Sequence, residues 1–281
     1  MAGIKRTQAV ILLLVAAVLW SLAGVLIKWV SLPALAVAGF RSAIALPVLL
    51  LFFGRRAVNF SAAQLIGAVC YAGTVTLFVS ATKLTTSGNA ILLQYTAPLY
   101  VALLSGWLLD ERPRWFDWAA IGAVLCGMSL FFLDELSAEG LTGNTLAILS
   151  GVCYASLIVA LRKQKDASPA GSAILGNLLT ALICLPWMLQ AEPGGGDWIG
   201  LVFMGVFQLG LSYACYVVAI KHVTAMEAIL IPTLEPILNP LWALLFMGER
   251  LGYWALLGGA VVILSIVFRA VMGSRKGAVP V

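Results

Sequence analysis

Apolar residues in this chain neither alternate with polar ones nor gather on one stripe of a charged helix. They run on for about twenty residues at a time, as from Gln8 to Val30. That length matches a bilayer core of roughly 30 Å at 1.5 Å per helical residue. Strands of a membrane barrel would instead alternate apolar and polar residues over about ten positions. In hydrocarbon every backbone N–H and C=O must find a partner inside the protein, so runs of this kind are helices. The pattern predicts spans at 8–30, 33–53, 62–82, 87–109, 115–133, 143–162, 169–190, 198–219, 224–247 and 252–271. The expected fold class is an all-α polytopic membrane protein with ten transmembrane helices. The first run is too long for a signal-peptide core of 7–15 residues and is expected to be a retained span. Loops are short, and several carry turn formers such as Glu192-Pro193-Gly194-Gly195-Gly196-Asp197.

Composition agrees and excludes soluble classes. Of the 281 residues, 62% are apolar and 10% charged, against roughly 45–50% and about 25% in soluble domains. Mean hydropathy is +1.03. The net charge of +5 raises nucleic acid as a partner, but the basic residues sit at the ends of apolar runs, where they anchor and orient spans. With the N-terminus inside, 13 Lys and Arg residues fall on the cytoplasmic side and 3 (Lys28, Lys83 and Arg250) outside, with Arg41 within a span. The acidic segments Asp134–Glu139 and Glu192–Asp197 fall outside. The bias predicts an even number of spans with both termini cytoplasmic. The five cysteines lie inside apolar runs, without metal-ligand spacing, and read as small packing residues.

The chain also repeats itself. Asn89–Arg112 aligns with Glu227–Arg250 at a shift of 138, with seven identities in 24 positions, among them Pro98/Pro236, Glu111/Glu249 and Arg112/Arg250. Lys83/Lys221 keeps the shift, and Trp118-Ala119-x-x-Gly122 matches Trp254-Ala255-x-x-Gly258 after a two-residue gap. The expected halves are residues 1–138 and 139–281. With five spans each, the second half enters from the opposite side, so the repeats are inverted. Inverted repeats mark secondary transporters, with substrate near the midplane between halves.

At these residues the chain resembles the drug/metabolite transporter superfamily, EamA type. The segments that carry the resemblance are Ala97-Pro98-Leu99, Leu108-Leu109-Asp110-Glu111-Arg112-Pro113, Leu234-Glu235-Pro236 and Gly248-Glu249-Arg250, with Leu19-Trp20-Ser21 and Phe40-Arg41. The resemblance implies two five-helix repeats around a central cavity lined by spans 1, 3, 4, 6, 8 and 9. It also implies a bacterial inner-membrane exporter of amino acids or related metabolites, similar to exporters of the YddG type. Glu235 departs from the symmetry, since Ala97 stands at its counterpart.

Several side chains are candidates for function. Pro98 in span 4 and Pro236 in span 9 are equivalent, and Pro232 and Pro240 flank the latter at spacing four. Each removes a backbone donor and kinks its helix, and paired interruptions in corresponding spans point to a binding site; the alternative is that they only shape packing. Ionisable groups within spans are functional by default. Glu227, Glu235 and Asn239 form a polar stripe on span 9. Either carboxylate could bind a substrate ammonium or carry a proton; the alternative is a packing carboxylate for Glu235 and a hydrated one for Glu227. Arg41, roughly 12 Å into span 2 by the helical rise, could pair with Glu235 or a substrate carboxylate, or could snorkel at the bundle edge. The neutral candidates for cavity lining are Trp20, Ser21, Tyr71, Thr74, Asn89, Gln94, Tyr95, Thr96, Tyr100, Tyr154, Gln208, Ser212 and Tyr213. Asn89, Thr96 and Tyr100 share a face of span 4, and Trp20 and Tyr154 could wall a cavity; any of the aromatics could instead be a belt anchor.

These features favour a secondary transporter, most simply an amino-acid or metabolite exporter. Proton-coupled efflux of drugs or toxic cations, nucleobase export, and a membrane assembly protein without transport remain open. No protease, hydrolase or phosphate-loop motif argues for an enzyme. No cofactor or metal is called for. The expected partners are a small-molecule substrate and the lipid bilayer, with the oligomeric state open and a monomer compatible with the pattern.

Overall fold

The computed structural model describes residues 4–131, 133, 140–238, 242 and 252–275. Its regular elements are all helical. Helices α1 (Arg6–Trp20) and α2 (Ala23–Trp29) form one rod with a break, followed by α3 (Ala34–Phe53) and α4 (Ala62–Leu84). A second broken rod is α5 (Ser87–Gln94) with α6 (Ala97–Leu108), and α7 (Trp115–Phe131) follows. Then come α8 (Leu141–Lys163), α9 (Pro169–Gln190) and a third interrupted rod. That rod is α10 (Gly195–Phe203), a π-helical stretch Met204–Leu211, and α11 (Ser212–Ala219). Next is α12 (Ala225–Leu230), which tightens into a 3-10 turn at Ile231–Leu234. The final helix is α13 (Tyr253–Arg275).

Eight of these rods are long and apolar enough to cross a bilayer, and α7 is a shorter apolar helix. Their bounds lie within a few residues of the spans expected from the sequence. Positions 239–241 and 243–247 of the expected span 224–247 lie outside the described residues, among them Asn239 and Pro240, as do Glu249, Arg250 and the acidic segment 134–139.

The surface has the wrong polarity for water. Leu51, Trp107 and Leu189 are 86%, 81% and 78% exposed, and large apolar side chains of most of the helices are exposed with them, far more than a soluble monomer leaves bare. Lipid tails are the solvent that fits, and the chain is a multi-pass membrane protein.

With lipid as apolar as leucine, helices associate through close packing of small residues. Gly67 of α4 sits against Ser172 of α9, and Gly176 of α9 against the ring of Tyr71. Gly127 of α7 meets Gly258 of α13 backbone to backbone. A Cβ on Gly258 would sit inside contact distance of the Gly127 carbonyl and the Phe131 backbone. Gly54 does a different job, ending α3 at φ 68° with its N–H on the Leu50 carbonyl. All five cysteines are free.

The helix contacts yield a paired test. Gly258→Ala is expected to overpack the α7–α13 seam at a cost of about 1–3 kcal/mol. Gly122→Ala, with nothing within 4 Å of the added Cβ, should be neutral or stabilising by up to about 1 kcal/mol through helix propensity. Melting of both variants in one detergent checks this. Equal shifts would remove the seam.

Candidate functional site

The breaks in the rods converge. Between α1 and α2 the chain turns at Ser21, whose hydroxyl donates to the Val18 carbonyl at 2.6 Å and accepts from the indole of Trp242 at 2.8 Å. Between α5 and α6 it turns at Tyr95 and Thr96. Pro98, two residues on, cannot donate to the Gln94 carbonyl, which lies against Gly151 of α8. In the third rod the π-helical stretch carries Gln208, and the Ser212 hydroxyl donates to the Gln208 carbonyl and, at 3.2 Å, to that of Leu209. A π-bulge often marks a functional site. In the fourth, Pro232 deprives the Ala228 carbonyl of its helical donor, and the Tyr216 hydroxyl of α11 donates to it at 3.0 Å. Pro236 does the same to the Pro232 carbonyl, which accepts instead from the Glu235 N–H and lies 3.1 Å from the Tyr95 hydroxyl.

A cavity opens where these breaks meet, with about 420 Å³ of atom-free space that includes its open side. Its lining is Trp20, Arg41, Thr74, Val75, Phe78, Gln94, Tyr154, Gln208, Leu209, Tyr213 and Glu235. Aromatic contacts stiffen one wall: Trp20 stacks obliquely on Tyr213 and Tyr216 at 5.1 and 5.2 Å between centroids and meets Tyr154 edge-on at 6.2 Å. Gln94 donates to Ser150 at 2.8 Å, and Ser150 to the Thr74 carbonyl at 3.0 Å, tying α5 to α8 and α4.

Among the described residues, one acidic and one basic side chain line this cavity. Glu235, partly buried, accepts from the Tyr95 hydroxyl at 2.6 Å. Arg41 is 2% exposed; its Nη1 donates to Gln208 Oε1 at 3.3 Å and its buried Nε has no partner. The ion pairs among the described residues involve Arg6, Arg162 and Arg269, and none includes Arg41. Arg41 thus faces the interior rather than snorkelling at the bundle edge.

Of the candidates named from sequence, Trp20, Thr74, Gln94, Tyr154, Gln208, Tyr213 and Glu235 are brought together in the lining. Others stand one layer back as supports. Tyr71 accepts from Asn177 at 2.8 Å, Tyr95 holds Glu235, and Ser21 and Ser212 bond at their helix breaks. Thr96 bonds the Leu93 carbonyl, and Tyr100 is half-buried on α6 away from the lining. Asn89 belongs to a different place, bonding Thr85 and Asn144 between α5 and α8. Val75, Phe78 and Leu209 were not singled out, since one apolar residue in an apolar span carries no signal.

Glu227 also stands apart from the cavity. It is 4% exposed rather than hydrated. It caps α12 with Thr224, accepting the Thr224 N–H at 3.0 Å. It pairs with Arg6 of α1 and, at 2.9 Å, with Arg269 of α13, whose Nε reaches Asp117 of α7 at 3.0 Å. Nearby, Glu111 accepts from Arg162 of α8 at 2.6 Å and from the Ala225 N–H at 2.8 Å. These two clusters lock one end of the bundle.

Two stretches of the chain, residues 7–133 and 141–270, match the model described as the EamA-like transporter family. The chain belongs to this family. Among curated relatives, the threonine/homoserine exporter RhtA of Escherichia coli (strain K12) is 29% identical over 244 residues, covering 82% of this chain and 80% of the relative. Its counterpart in Salmonella typhimurium (strain LT2) is 28% identical over 251 residues, covering 85% and 80%. An uncharacterized transporter of Archaeoglobus fulgidus is 28% identical over 195 residues, covering 69% and 71%. A solved crystal structure superposes with a TM-score of 0.82 at 20% identity, over 96% of this chain and 100% of the other. The family and these named relatives are transporters, in keeping with a chain that carries no enzyme motif.

The locked end gives a second test. Asp117→Asn leaves a buried guanidinium short of one acid, a change that costs about 3–5 kcal/mol when a buried pair is broken. Arg6, whose side chain is 43% exposed, should cost about 1 kcal/mol or less on mutation to Gln. Melting temperatures in detergent are expected to fall much further for the first. The reverse order would mean the cluster is not the lock.

Proposed function

We propose that this EamA-type transporter is a secondary carrier that exports an amino acid or closely related metabolite by alternating access around the cavity of Trp20, Arg41, Gln208 and Glu235. The observation that carries this reading is the meeting of four broken helical rods at one cavity. Discontinuous helices at mid-depth expose polar backbone to a substrate where lipid cannot reach. The likeness to threonine/homoserine exporters supports the amino-acid class.

In this proposal the two matched stretches are inverted five-helix repeats, and the fold has ten spans. Support comes from the shift of 138: it carries the break at Tyr95–Thr96 onto Thr233–Leu234, inside the 3-10 turn Ile231–Leu234. Inward- and outward-facing states are then near mirror images, each closing one end of the cavity. The charge bias of the loops puts both termini in the cytoplasm. The ion-paired end is then the cytoplasmic end, and its pairs must part for substrate to load. The drive is a proton gradient, exchange or the substrate's own gradient, since the sequence carries no nucleotide-binding loop. Glu235 is the group placed to take part in either substrate binding or proton carriage.

Reconstitution in liposomes tests this. Saturable counterflow of labelled threonine or homoserine is expected, and Glu235→Gln should slow it by at least about tenfold, the effect of roughly 1.4 kcal/mol. Counterflow unaffected by the substitution would return Glu235 to packing. Folded protein without counterflow of any amino acid would remove the substrate class.

A further inference from the structure

Resting on the carrier proposed above, we infer that Arg41 and Glu235 form the two poles of a site for a zwitterionic amino acid with an uncharged side chain, Arg41 taking the α-carboxylate and Glu235 the α-ammonium.

The inference starts from Arg41. A guanidinium taken out of water demands an anion or a full set of acceptors. Among the described residues the other buried arginines obey that rule: Arg162 has Glu111 and two backbone carbonyls, and Arg269 has Asp117 and Glu227. Arg41, at 2% exposure, has one amide oxygen at 3.3 Å and an unpartnered Nε, and it lines the cavity. The group missing is one that accepts from a planar fork of N–H donors. A carboxylate does so with two parallel charge-assisted bonds. Gln208 fixes the fork from the π-helical stretch, leaving the Nε edge for the ligand.

Glu235 completes the pair. One of its oxygens accepts from Tyr95, and a carboxylate has further lone pairs for an ammonium. No ion pair joins it to Arg41, so the two charges are not neutralising each other across the cavity. The rest of the lining is neutral, with Trp20, Tyr154, Tyr213 and Phe78 as apolar wall. A ligand with both charges at one end and an uncharged remainder satisfies every feature. A cationic drug would leave Arg41 unmatched, and a neutral purine would leave both poles unmatched.

The test uses the purified full chain in nanodiscs, with ligand binding read by titration calorimetry and counterflow from liposomes run in parallel. The probes are a panel of L-amino acids and, for those that bind, the methyl ester (carboxylate masked) and the N-acetyl form (ammonium masked). Each mask is expected to weaken binding by about ten- to a hundredfold, the loss of one charge-assisted contact. Lysine and aspartate should bind far more weakly than amino acids with uncharged side chains. Arg41→Gln should abolish the penalty for the ester while keeping that for the N-acetyl form, and Arg41→Lys should restore part of it. The masked ligands act on the unaltered protein, so the result does not depend on Arg41 variants folding. An ester that binds and moves as well as its parent overturns the inference and leaves the exporter standing. Silence from every amino acid on folded protein overturns both.

Discussion

Hydrocarbon offers no hydrogen bonds, and this molecule nonetheless interrupts its helices in the middle of the bundle. Everything around the cavity follows from how those interruptions are kept satisfied. Pro232 and Pro236 remove two donors from one rod, and the chain answers with a hydroxyl from elsewhere and a tightened turn. Tyr216 reaches the Ala228 carbonyl, and Tyr95 approaches that of Pro232. A side chain that supplies a missing donor is held in one orientation, since its alternative is an unpaired carbonyl in a low-dielectric interior. Tyr216 is thereby fixed as part of the aromatic wall against Trp20, while Tyr95 gives its hydroxyl hydrogen to Glu235. The positions of the functional groups are consequences of backbone accounting.

Charge is distributed by the same logic. At one end of the bundle the acids and bases are spent on each other: Arg6, Glu227, Arg269 and Asp117 form one chain of pairs, Glu111 and Arg162 another. In the middle the charges are left apart and face a void. A stabilising role accounts for the first arrangement and not for the second, because separated buried charges cost more than paired ones. This contrast within one molecule supports the proposal that the cavity binds and the end closes.

Long apolar runs made the spans legible, because their length has a single physical cause. Two of the breaks were also legible, since Pro98 and Pro232 remove donors at known positions. The break after Trp20 and the π-helical stretch at Met204–Leu211 were not. Neither contains a proline, and each exists because neighbouring helices and the Ser21 and Ser212 hydroxyls stabilise it. Glu235 stood out as an acid in an apolar span, and Arg41 as a base in one. The ion-paired end was hidden for another reason. Arg162 and Arg269 lie at the ends of apolar runs and read as topology markers, and their acids Glu111, Asp117 and Glu227 lie far away along the chain. Only the fold brings them together.

The central claim is that a tyrosine hydroxyl from a neighbouring helix replaces the donor that Pro232 removes. A double-mutant cycle at Tyr216 and Pro232 tests it most directly, read as unfolding free energy in one detergent. Tyr216→Phe alone is expected to destabilise the protein by about 1–2 kcal/mol, as for a lost interhelical hydrogen bond. With Pro232→Ala, the new Ala N–H can take the Ala228 carbonyl, so Tyr216→Phe should then cost close to nothing. The same cost in both backgrounds would contradict the account, because it would mean that Tyr216 stabilises the fold without standing in for the missing donor.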